Sequence, residues 1–338
     1  MESEIRQQPE LYDHILTTGK PEIERVAAAI AETNPRFVLF IARGTSDHAA
    51  LYAKYLVETR LGLPAGLASP SATTVYDAHP RMEGVLCIAI SQSGESPDVV
   101  MSTTRAGEQG AVTLAITNDP ESDLARAAAH RLPLMAGHET AVAATKTYTA
   151  ELLTSLLLVD ALAGRQPAGY PELPGQARAA LMLDQEVADI AARYRFVHHL
   201  LVTSRGYNSA TASETALKLM EAARVPAHAF SGADLMHGPM AMVDRGFPVI
   251  AISPKGPGGE AMKPALERLT DQGADLLLVG DANGAIITGP VIPLPPSAEY
   301  VSPLLAIIPL QLLALELARQ RGFDPDQPVG LTKVTKTV

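Results

Sequence analysis

The chain contains two copies of one sequence plan, and this repeat restricts its fold more than any other feature. In both copies an apolar run ends in Arg-Gly and a helical stretch follows, as in FIARGTSDHAALYAKYLVETRLGLP (40–64) and LVTSRGYNSATASETALKLMEAARVP (201–226). Gly44 and Gly206 are 162 residues apart, and the same spacing separates the runs CIAIS and VIAIS, which end at Ser91 and Ser253. Repetition over most of a chain predicts two structurally equivalent domains.

The order of elements within each copy predicts the fold class. Short, continuous apolar runs, typical of parallel strands buried on both faces, occur at Phe37–Ile41, Val85–Ile90 and Val112–Ile116. Each copy closes with a long apolar helix, predicted at 145–163 and 303–321. Because strands and helices alternate, we predict two tandem α/β domains with doubly wound parallel sheets, flavodoxin-like and related by pseudo-two-fold symmetry.

Composition along the chain predicts where the domains end. The segment GRQPAGYPELPGQ (164–176) is rich in Pro and Gly and is typical of a linker. A helix with an apolar stripe is expected after it, at about 177–193. We therefore predict an N-terminal helical segment over 1–36, a first, phosphate-binding domain over 37–163, a linker and helix over 164–196, a second domain over 197–322, and an active-site tail over 323–338.

The composition and net charge of the chain argue against several classes of protein. The 338 residues carry a formal net charge of −10, which disfavours a nucleic-acid partner. The single cysteine, Cys87, lies within an apolar run, so an inert buried thiol is expected. The polar start MESEIRQQPELYDH does not resemble a signal peptide, and the apolar stretches 152–163 and 304–318 are too short or too interrupted to span a membrane. A cytoplasmic protein without a membrane partner is expected.

A loop rich in hydroxyl groups follows the second apolar run of the first copy. In SQSGESPD, Pro97 is suited to the first position of a helix and Ser96 to the cap before it. The free N–H groups of a first helical turn favour an anion, and Gly94 allows the backbone to approach it closely. Additional donors come from Ser91, Gln92 and Ser93. The alternative is a capped helix after a polar turn, but the number of donors favours a single phosphate group.

A second loop, RGTSDH, follows the first apolar run in the same way. Gly44 permits a tight turn from strand to helix, and Thr45 and Ser46 offer hydroxyls beside the neighbouring loop. The alternative interpretation is an ordinary helix cap, with Ser46 or Asp47 in that role. In an open parallel sheet, ligands bind at the carboxyl ends of the strands, where both loops are expected.

These loops resemble those of the sugar isomerase (SIS) domain family. The blocks ETALKLMEAARVPAHAFSGADLMHGPMAMV (214–243) and FDPDQPVGLTKVTKTV (323–338) are similar to the isomerase half of glucosamine-6-phosphate synthases, and the whole chain is more similar to stand-alone type II glucosamine-6-phosphate deaminases. The resemblance extends over nearly the entire chain. It implies a hexose or hexosamine 6-phosphate substrate and a homodimer. No metal is predicted, because the histidines do not show H-x-x-x-H or H-E-x-x-H spacing, and no cofactor is predicted.

The resemblance also implies a set of site residues. It assigns proton transfer to Glu221, beside Lys218, and ring opening to His237, which would reach the site from the partner subunit. It places Lys333 over the carbonyl end of the sugar. Contacts with the substrate are implied for Thr45, Ser46, Ser91, Gln92, Ser93, Ser96, Val142, Ala143 and Ala144. The chain departs from the synthases at Ala144, where they have serine, at Ser96, where they have threonine, and at Met220, where they have lysine.

The residue types suit this chemistry, although each has a plainer interpretation. A carboxylate can move a proton between neighbouring sugar carbons, and Glu221 lies three residues beyond Lys218 on one helix face. An exposed helical ion pair is the alternative for them. For His237 the alternative is a structural or solvated histidine. Lys333 could be solvated, neutralise charge, or form a Schiff base with the open-chain sugar.

The resemblance leaves the direction of the reaction open. The chain begins Met1-Glu2-Ser3 and its only cysteine lies in mid-strand, so hydrolysis of glutamine is not expected. The preferred reaction is conversion of glucosamine 6-phosphate and water to fructose 6-phosphate and ammonia. The alternatives are an aldose–ketose isomerase, a fructosamine-6-phosphate deglycase, and a sugar-phosphate sensor without catalysis.

Overall fold

The computed structural model of the protein describes residues 1–165, 170–328 and 330–333. Residues 166–169 of the predicted linker, and residues 329 and 334–338 of the predicted tail, lie outside the described part. The chain forms two compact units, each built from separate stretches of sequence. The first unit lies within Glu10–Glu139, Lys146–Pro171 and Thr332–Val338, and the second within Met1–Pro9, Thr140–Thr145 and Glu172–Leu331.

The described residues form ten strands and fifteen α-helices. The strands are β1 (Phe37–Ile41), β2 (Ala65–Leu67), β3 (Val85–Ile90), β4 (Val112–Thr117), β5 (His130–Pro133), β6 (Leu200–Ser204), β7 (Ala227–Ser231), β8 (Pro248–Ser253), β9 (Asp275–Gly280) and β10 (Val291–Ile292). The helices are α1 (Glu2–Arg6), α2 (Gln8–His14), α3 (Lys20–Ala31), α4 (Thr45–Leu56), α5 (Pro70–Thr74), α6 (Pro97–Glu108), α7 (Asp123–Ala127), α8 (Lys146–Leu162), α9 (Leu173–Leu181), α10 (Asp184–Tyr194), α11 (Asn208–Ala223), α12 (Gly232–Met236), α13 (Pro257–Glu260), α14 (Lys263–Asp271) and α15 (Ser302–Gln320).

The two sheets have the same topology. The first unit has the strand order β2-β1-β3-β4-β5, and the second has β7-β6-β8-β9-β10. All pairs are parallel. In each unit the order reverses after the first strand, so a crevice forms at the carboxyl ends of the first and third strands. The predicted doubly wound α/β fold is confirmed.

The long apolar helix that closes each repeat lies in the core of its unit. Every residue of α8 from Lys146 to Asp160 is buried, as is every residue of α15 from Ser302 to Leu315. Among the described residues, Glu299–Gln320 is long and apolar enough to cross a bilayer, but 94% of its apolar window is buried within the protein. This helix is therefore a core element of the second unit.

The prediction of a single helix at 177–193 is wrong, because the structure has two helices, α9 and α10, in its place. Leu183 separates them with φ −86° and ψ 16°, outside the helical range. The buried stripe continues across the break from Ala180 to Val187, which is why apolar periodicity alone does not detect it. Pro174 occupies the first turn of α9, where a proline is tolerated.

Candidate active site

The two predicted loops of the first unit lie at the crevice formed by β1 and β3, which are direct neighbours in the sheet. Gly44 joins β1 to α4 with φ +56°, a conformation that side chains other than glycine rarely adopt. A Cβ atom built at this position would have no atom within 4 Å, so the turn faces open space. A ligand can therefore approach the backbone here.

The loop after β3 is held by its own serines. The Ser91 hydroxyl accepts a hydrogen bond from the Gly94 amide (3.2 Å), and the Ser93 hydroxyl accepts one from the Glu95 amide (3.3 Å). A hydroxyl oxygen that accepts an amide keeps its own hydrogen for donation. The loop thus holds two oriented hydroxyl donors, with Gln92 half-buried between them.

Gly94 has a packing role that the sequence interpretation missed. Its φ is +65°, and a Cβ atom there would lie 2.2 Å from Ser122 Oγ and 2.9 Å from Thr117 Oγ1. The Gly94 carbonyl also accepts a hydrogen bond from the Leu124 amide (3.0 Å). The glycine therefore lets the loop pack closely against the start of α7.

The predicted cap of α6 is only partly correct. Ser96 lies at the capping position with extended backbone (φ −65°, ψ 113°), but its side chain makes no capping hydrogen bond. The buried carboxylate of Asp98 instead accepts the Val99 amide (2.9 Å). Because the Val99 amide of the first turn is already engaged, fewer free amides than expected remain at the start of α6.

An ion pair joins the two loops. Arg43 Nε donates to Asp98 Oδ2 at 2.6 Å, from the end of β1 to the start of α6. Asp98 is buried and the Arg43 side chain is half-exposed. The pair fixes the two loops relative to each other, and Asp98 was not identified from the sequence.

Ser46 points into the first unit. Its buried hydroxyl donates to Glu151 Oε1 on α8 (2.7 Å). Neither Ser46 nor Asp47 caps α4, because the helix begins at Thr45 and Gly44 occupies the capping position. The capping alternative for this loop is wrong, and the implied phosphate contact of Ser46 remains a prediction.

The tail lysine Lys333 is held by a buried carboxylate. Lys333 Nζ lies 2.9 Å from Glu139 Oε2, which also accepts the Thr147 hydroxyl (2.7 Å). The second oxygen of Glu139 accepts the Thr147 amide (3.1 Å). The interpretation of Lys333 as a freely solvated lysine is wrong, because its ammonium group is paired with Glu139 within the first unit.

The second unit contains a charged cluster on α11. Lys218 is 1% exposed, and its Nζ lies 3.3 Å from Glu214 Oε1 and also contacts the Glu221 carboxylate. Burial disfavours the charged form of Lys218, but the two carboxylates outweigh it and raise its pKa. Glu214 is fully buried, whereas Glu221 is 23% exposed. The interpretation as an exposed helical ion pair is wrong.

Glu214 was not identified from the sequence. Its spacing of four residues before Lys218 was a usable signal, since residues i and i+4 share a helix face. One lysine between two carboxylates leaves a net negative charge, and only Glu221 has access to solvent. Glu221 is therefore the one carboxylate of the cluster that is accessible to solvent, and the buried ammonium group of Lys218 holds it in place.

His237 lies directly after α12 and is exposed. The Ser231 hydroxyl caps this helix by accepting the Asp234 amide (3.0 Å), and the His237 amide donates to the Asp234 carbonyl (3.0 Å). The backbone of the histidine is thus fixed while its ring faces outward.

The segment Thr140–Thr145, which contains Val142, Ala143 and Ala144, belongs to the second unit. At its start Glu4 accepts hydrogen bonds from the Thr140 hydroxyl (2.8 Å) and the Ala141 amide (3.2 Å). At its end Gln311 donates to the Thr145 carbonyl (3.2 Å). Burial opposes the charge of Glu4, but the Thr140 and Ala141 hydrogen bonds outweigh it and lower its pKa. Glu4 and Gln311 were not identified from the sequence.

The predicted site residues therefore fall into two groups. The first unit holds Thr45, Ser46, Ser91, Gln92, Ser93, Ser96 and Lys333, and the second holds Val142, Ala143, Ala144, Lys218, Glu221 and His237. Cys87 is buried in β3, and burial raises the pKa of its thiol to about 12. The expected burial of this thiol is confirmed.

Comparison with known proteins identifies the class defined by this fold and these loops. The SIS domain model matches residues 33–161 and 194–320, one match in each repeat. The chain therefore belongs to the SIS domain family.

Several relatives are similar over the whole chain. A glutamine–fructose-6-phosphate aminotransferase (isomerizing) of Methanothermobacter thermautotrophicus is 36% identical over 98% of this chain and 56% of its own length. The chain spans about half the length of the curated relatives it matches. The C-terminal domain of the glucosamine–fructose-6-phosphate aminotransferase of Francisella tularensis superposes with a TM-score of 0.88 at 28% identity, over 97% of both chains. A glucosamine-6-phosphate deaminase of Thermotoga maritima has the same fold, with a TM-score of 0.77 at 24% identity over 99% of both chains.

Proposed function

We propose that the chain is an amino sugar phosphate deaminase/isomerase that converts glucosamine 6-phosphate and water to fructose 6-phosphate and ammonia. The observation that carries the proposal is the cluster on α11, where buried Lys218 holds Glu221 as a partly exposed carboxylate. Such a carboxylate suits transfer of a proton between two carbons. The similarity to isomerizing aminotransferases supports an amino sugar phosphate as the substrate class.

In this proposal the first unit binds the phosphate end of the sugar. The hydroxyls of Ser91, Ser93 and Ser96 donate to the phosphate oxygens, together with Gln92 and Thr45. Gly44 leaves room for the phosphate beside the backbone. No residue of the first unit acts as a base at the phosphate end of the sugar. Substitutions in these two loops are therefore expected to weaken the binding of all sugar 6-phosphates alike.

The reaction takes place at the other end of the sugar. His237 transfers the proton that opens the pyranose ring. Glu221 then removes the proton from C2, which gives an enolamine, and returns it to C1, which gives a ketimine at C2. Water adds to this carbon, the C–N bond breaks, and ammonia leaves as the C2 carbonyl forms. Lys218 holds the Glu221 carboxylate in position through their ion pair, and the backbone of Val142–Ala144 lines the sugar.

Lys333 acts in this proposal by its charge and not as a covalent nucleophile. The Nζ of Lys333 lies 2.9 Å from Glu139 Oε2, and this ion pair would have to break before the nitrogen could attack a carbonyl. An ammonium group near C1 stabilises the negative charge that develops on the substrate oxygen.

The test is release of ammonia from glucosamine 6-phosphate by the purified chain, with Glu221→Gln and the control Glu267→Gln side by side. Glu267 is an exposed glutamate on α14, so its change alters charge without touching the cluster. We expect Glu221→Gln to lower kcat by about 10²–10⁴-fold and Glu267→Gln to leave it unchanged. Deuterium from heavy water should appear at C1 of the fructose 6-phosphate.

Other outcomes identify the other functions. Interconversion of fructose 6-phosphate and glucose 6-phosphate without release of ammonia would indicate an aldose–ketose isomerase. Cleavage of fructosamine 6-phosphate alone would indicate a deglycase, and binding without turnover a sensor. A homodimer that shares His237 predicts that mixing His237→Ala with Glu221→Gln chains restores about a quarter of the activity, because random exchange leaves one intact site in each mixed dimer.

A further inference from the structure

The second unit repeats the loop positions that the first unit uses for the proposed phosphate site. Gly206 follows β6 as Gly44 follows β1, and Gly256 follows β8 as Gly94 follows β3, each pair at a spacing of 162 residues. β6 and β8 are direct neighbours in the second sheet. Because the strand order is the same in both units, the second unit has an equivalent crevice between these two loops.

A carboxylate of the chain itself fills this second crevice. The Gly258 amide donates to Glu299 Oε1 at 2.9 Å. Cβ atoms built at Gly206, Gly256 and Gly258 would lie 3.5, 2.5 and 2.2 Å from the oxygens of this carboxylate. Three glycines thus surround Glu299 so closely that side chains at two of them would collide with it. A Cβ atom built at Gly44 in the first unit has no atom within 4 Å.

The position of Glu299 is set by the start of α15. Its backbone carbonyl accepts a hydrogen bond from the Ser302 hydroxyl (2.6 Å), and Ser302 in turn accepts one from the Asn208 amide group (2.6 Å). Burial raises the pKa of Glu299. The hydrogen bond from the Gly258 amide lowers it in part, and the charge of Glu260 raises it further. The backbone at the start of α15 therefore holds the Glu299 carboxylate in the crevice, whereas its electrostatic surroundings disfavour the charged form.

A small cavity opens beside the filled crevice. Its volume is about 220 Å³, and its lining includes Pro254, Lys255, Asp281 and Ser302. Lys255, on the same loop as Gly256 and Gly258, is exposed and lies 3.7 Å from Asp281 Oδ2. A small anion can therefore reach the loop from this side if the carboxylate is removed.

We infer that Glu299 occupies the anion position of the second unit, so that this unit binds no phosphate although its backbone is built like that of the first. The chain then binds one sugar phosphate and not two; this count of one rests on the proposed function of the first unit. Removal of the carboxylate is expected to create one new site for a monophosphate, whatever the first unit binds.

The experiment is a phosphate-binding titration of the wild-type chain and of Glu299→Ala. We expect the number of inorganic phosphate ions bound per chain to rise by one in the variant. Adding Ser93→Ala to both chains separates the two proposals. If the first unit does not bind phosphate, the count changes from zero to one. If it does, the count changes from one to two, and Ser93→Ala weakens only the original site.

Glu299→Gln is the matched control, because its neutral amide still fills the crevice and is expected to add no site. Circular dichroism and the melting temperature establish that each variant is folded. A Glu299→Ala chain that folds only when phosphate is present would also support the inference, since phosphate would then replace the carboxylate. A folded variant that gains no site would refute it. So would a wild-type crystal soaked in phosphate with an ion bound to the Gly258 amide.

Discussion

Replacement of Lys218 by methionine tests whether the cluster on α11 is a buried unit. The change keeps the aliphatic stem of the side chain and removes the charge that lies 3.3 Å from Glu214. With an effective dielectric constant of ~20, the attraction between unit charges at this distance is about 5 kcal/mol before desolvation. Removing one partner of a buried ion pair typically lowers stability by about 3–5 kcal/mol. We expect a loss in this range, because Glu214 cannot reach water.

Urea unfolding monitored by circular dichroism measures this loss. With an m-value of about 3 kcal/mol per molar urea, the transition of the second unit should move down by about 1–1.7 M. The control is Lys263→Met, which removes an exposed lysine paired with Glu267 four residues later and should change stability by less than about 1 kcal/mol. Adding Glu214→Gln to Lys218→Met should recover part of the loss. Equal effects of Lys218→Met and Lys263→Met would refute the argument.

Two further predictions concern the loops. Gly94→Ala should lower the free energy of unfolding by about 2 kcal/mol or more, because strain at positive φ adds to the collision with Ser122. A Cβ atom at Gly44 meets no atom, so Gly44→Ala should lower it by only about 1 kcal/mol. The melting temperatures of both variants check this difference. The lowered pKa of Glu4 means that its contribution to stability is complete above the unfolded value of 4.5 and is lost as the pH falls below it. Glu4→Gln should speed hydrogen exchange of the amide of Ala141 about tenfold at pH 7 and should remove the acid-induced loss of protection there.

The strands that the sequence predicted correctly are those with the most pronounced patterns. The central strands β1, β3 and β8 are continuous apolar runs, and the parallel sheet buries both of their faces. Two of the four edge strands, β2 and β10, were not predicted, because they have three and two residues and little apolar pattern. Their assignment depends on hydrogen bonds to a neighbouring strand, which local sequence does not encode.

The places of the two loops in the fold were predictable from sequence, but the buried carboxylates that contact the predicted site residues were not. Serines and glycine after an apolar run are a local pattern, and this pattern alone led to the prediction of an anion site. By contrast, Ser46 contacts Glu151, which is 105 residues away, and Lys333 contacts Glu139, which is 194 residues away. A glutamate in a helix is most often exposed, so composition gave no reason to expect burial of Glu151. Only the packing of the unit brings these partners together.

The repeat shows why similarity of backbone does not extend to similarity of site. Gly44 and Gly206 occupy the same place in two sheets of the same topology, and both have positive φ. The space beside one is open and the space beside the other holds Glu299, a residue 93 positions further along the chain. A turn can therefore keep the geometry needed for an anion while a distant residue decides whether an external anion can enter. For this reason a site inferred from a repeated motif requires examination of what the rest of the unit places against it.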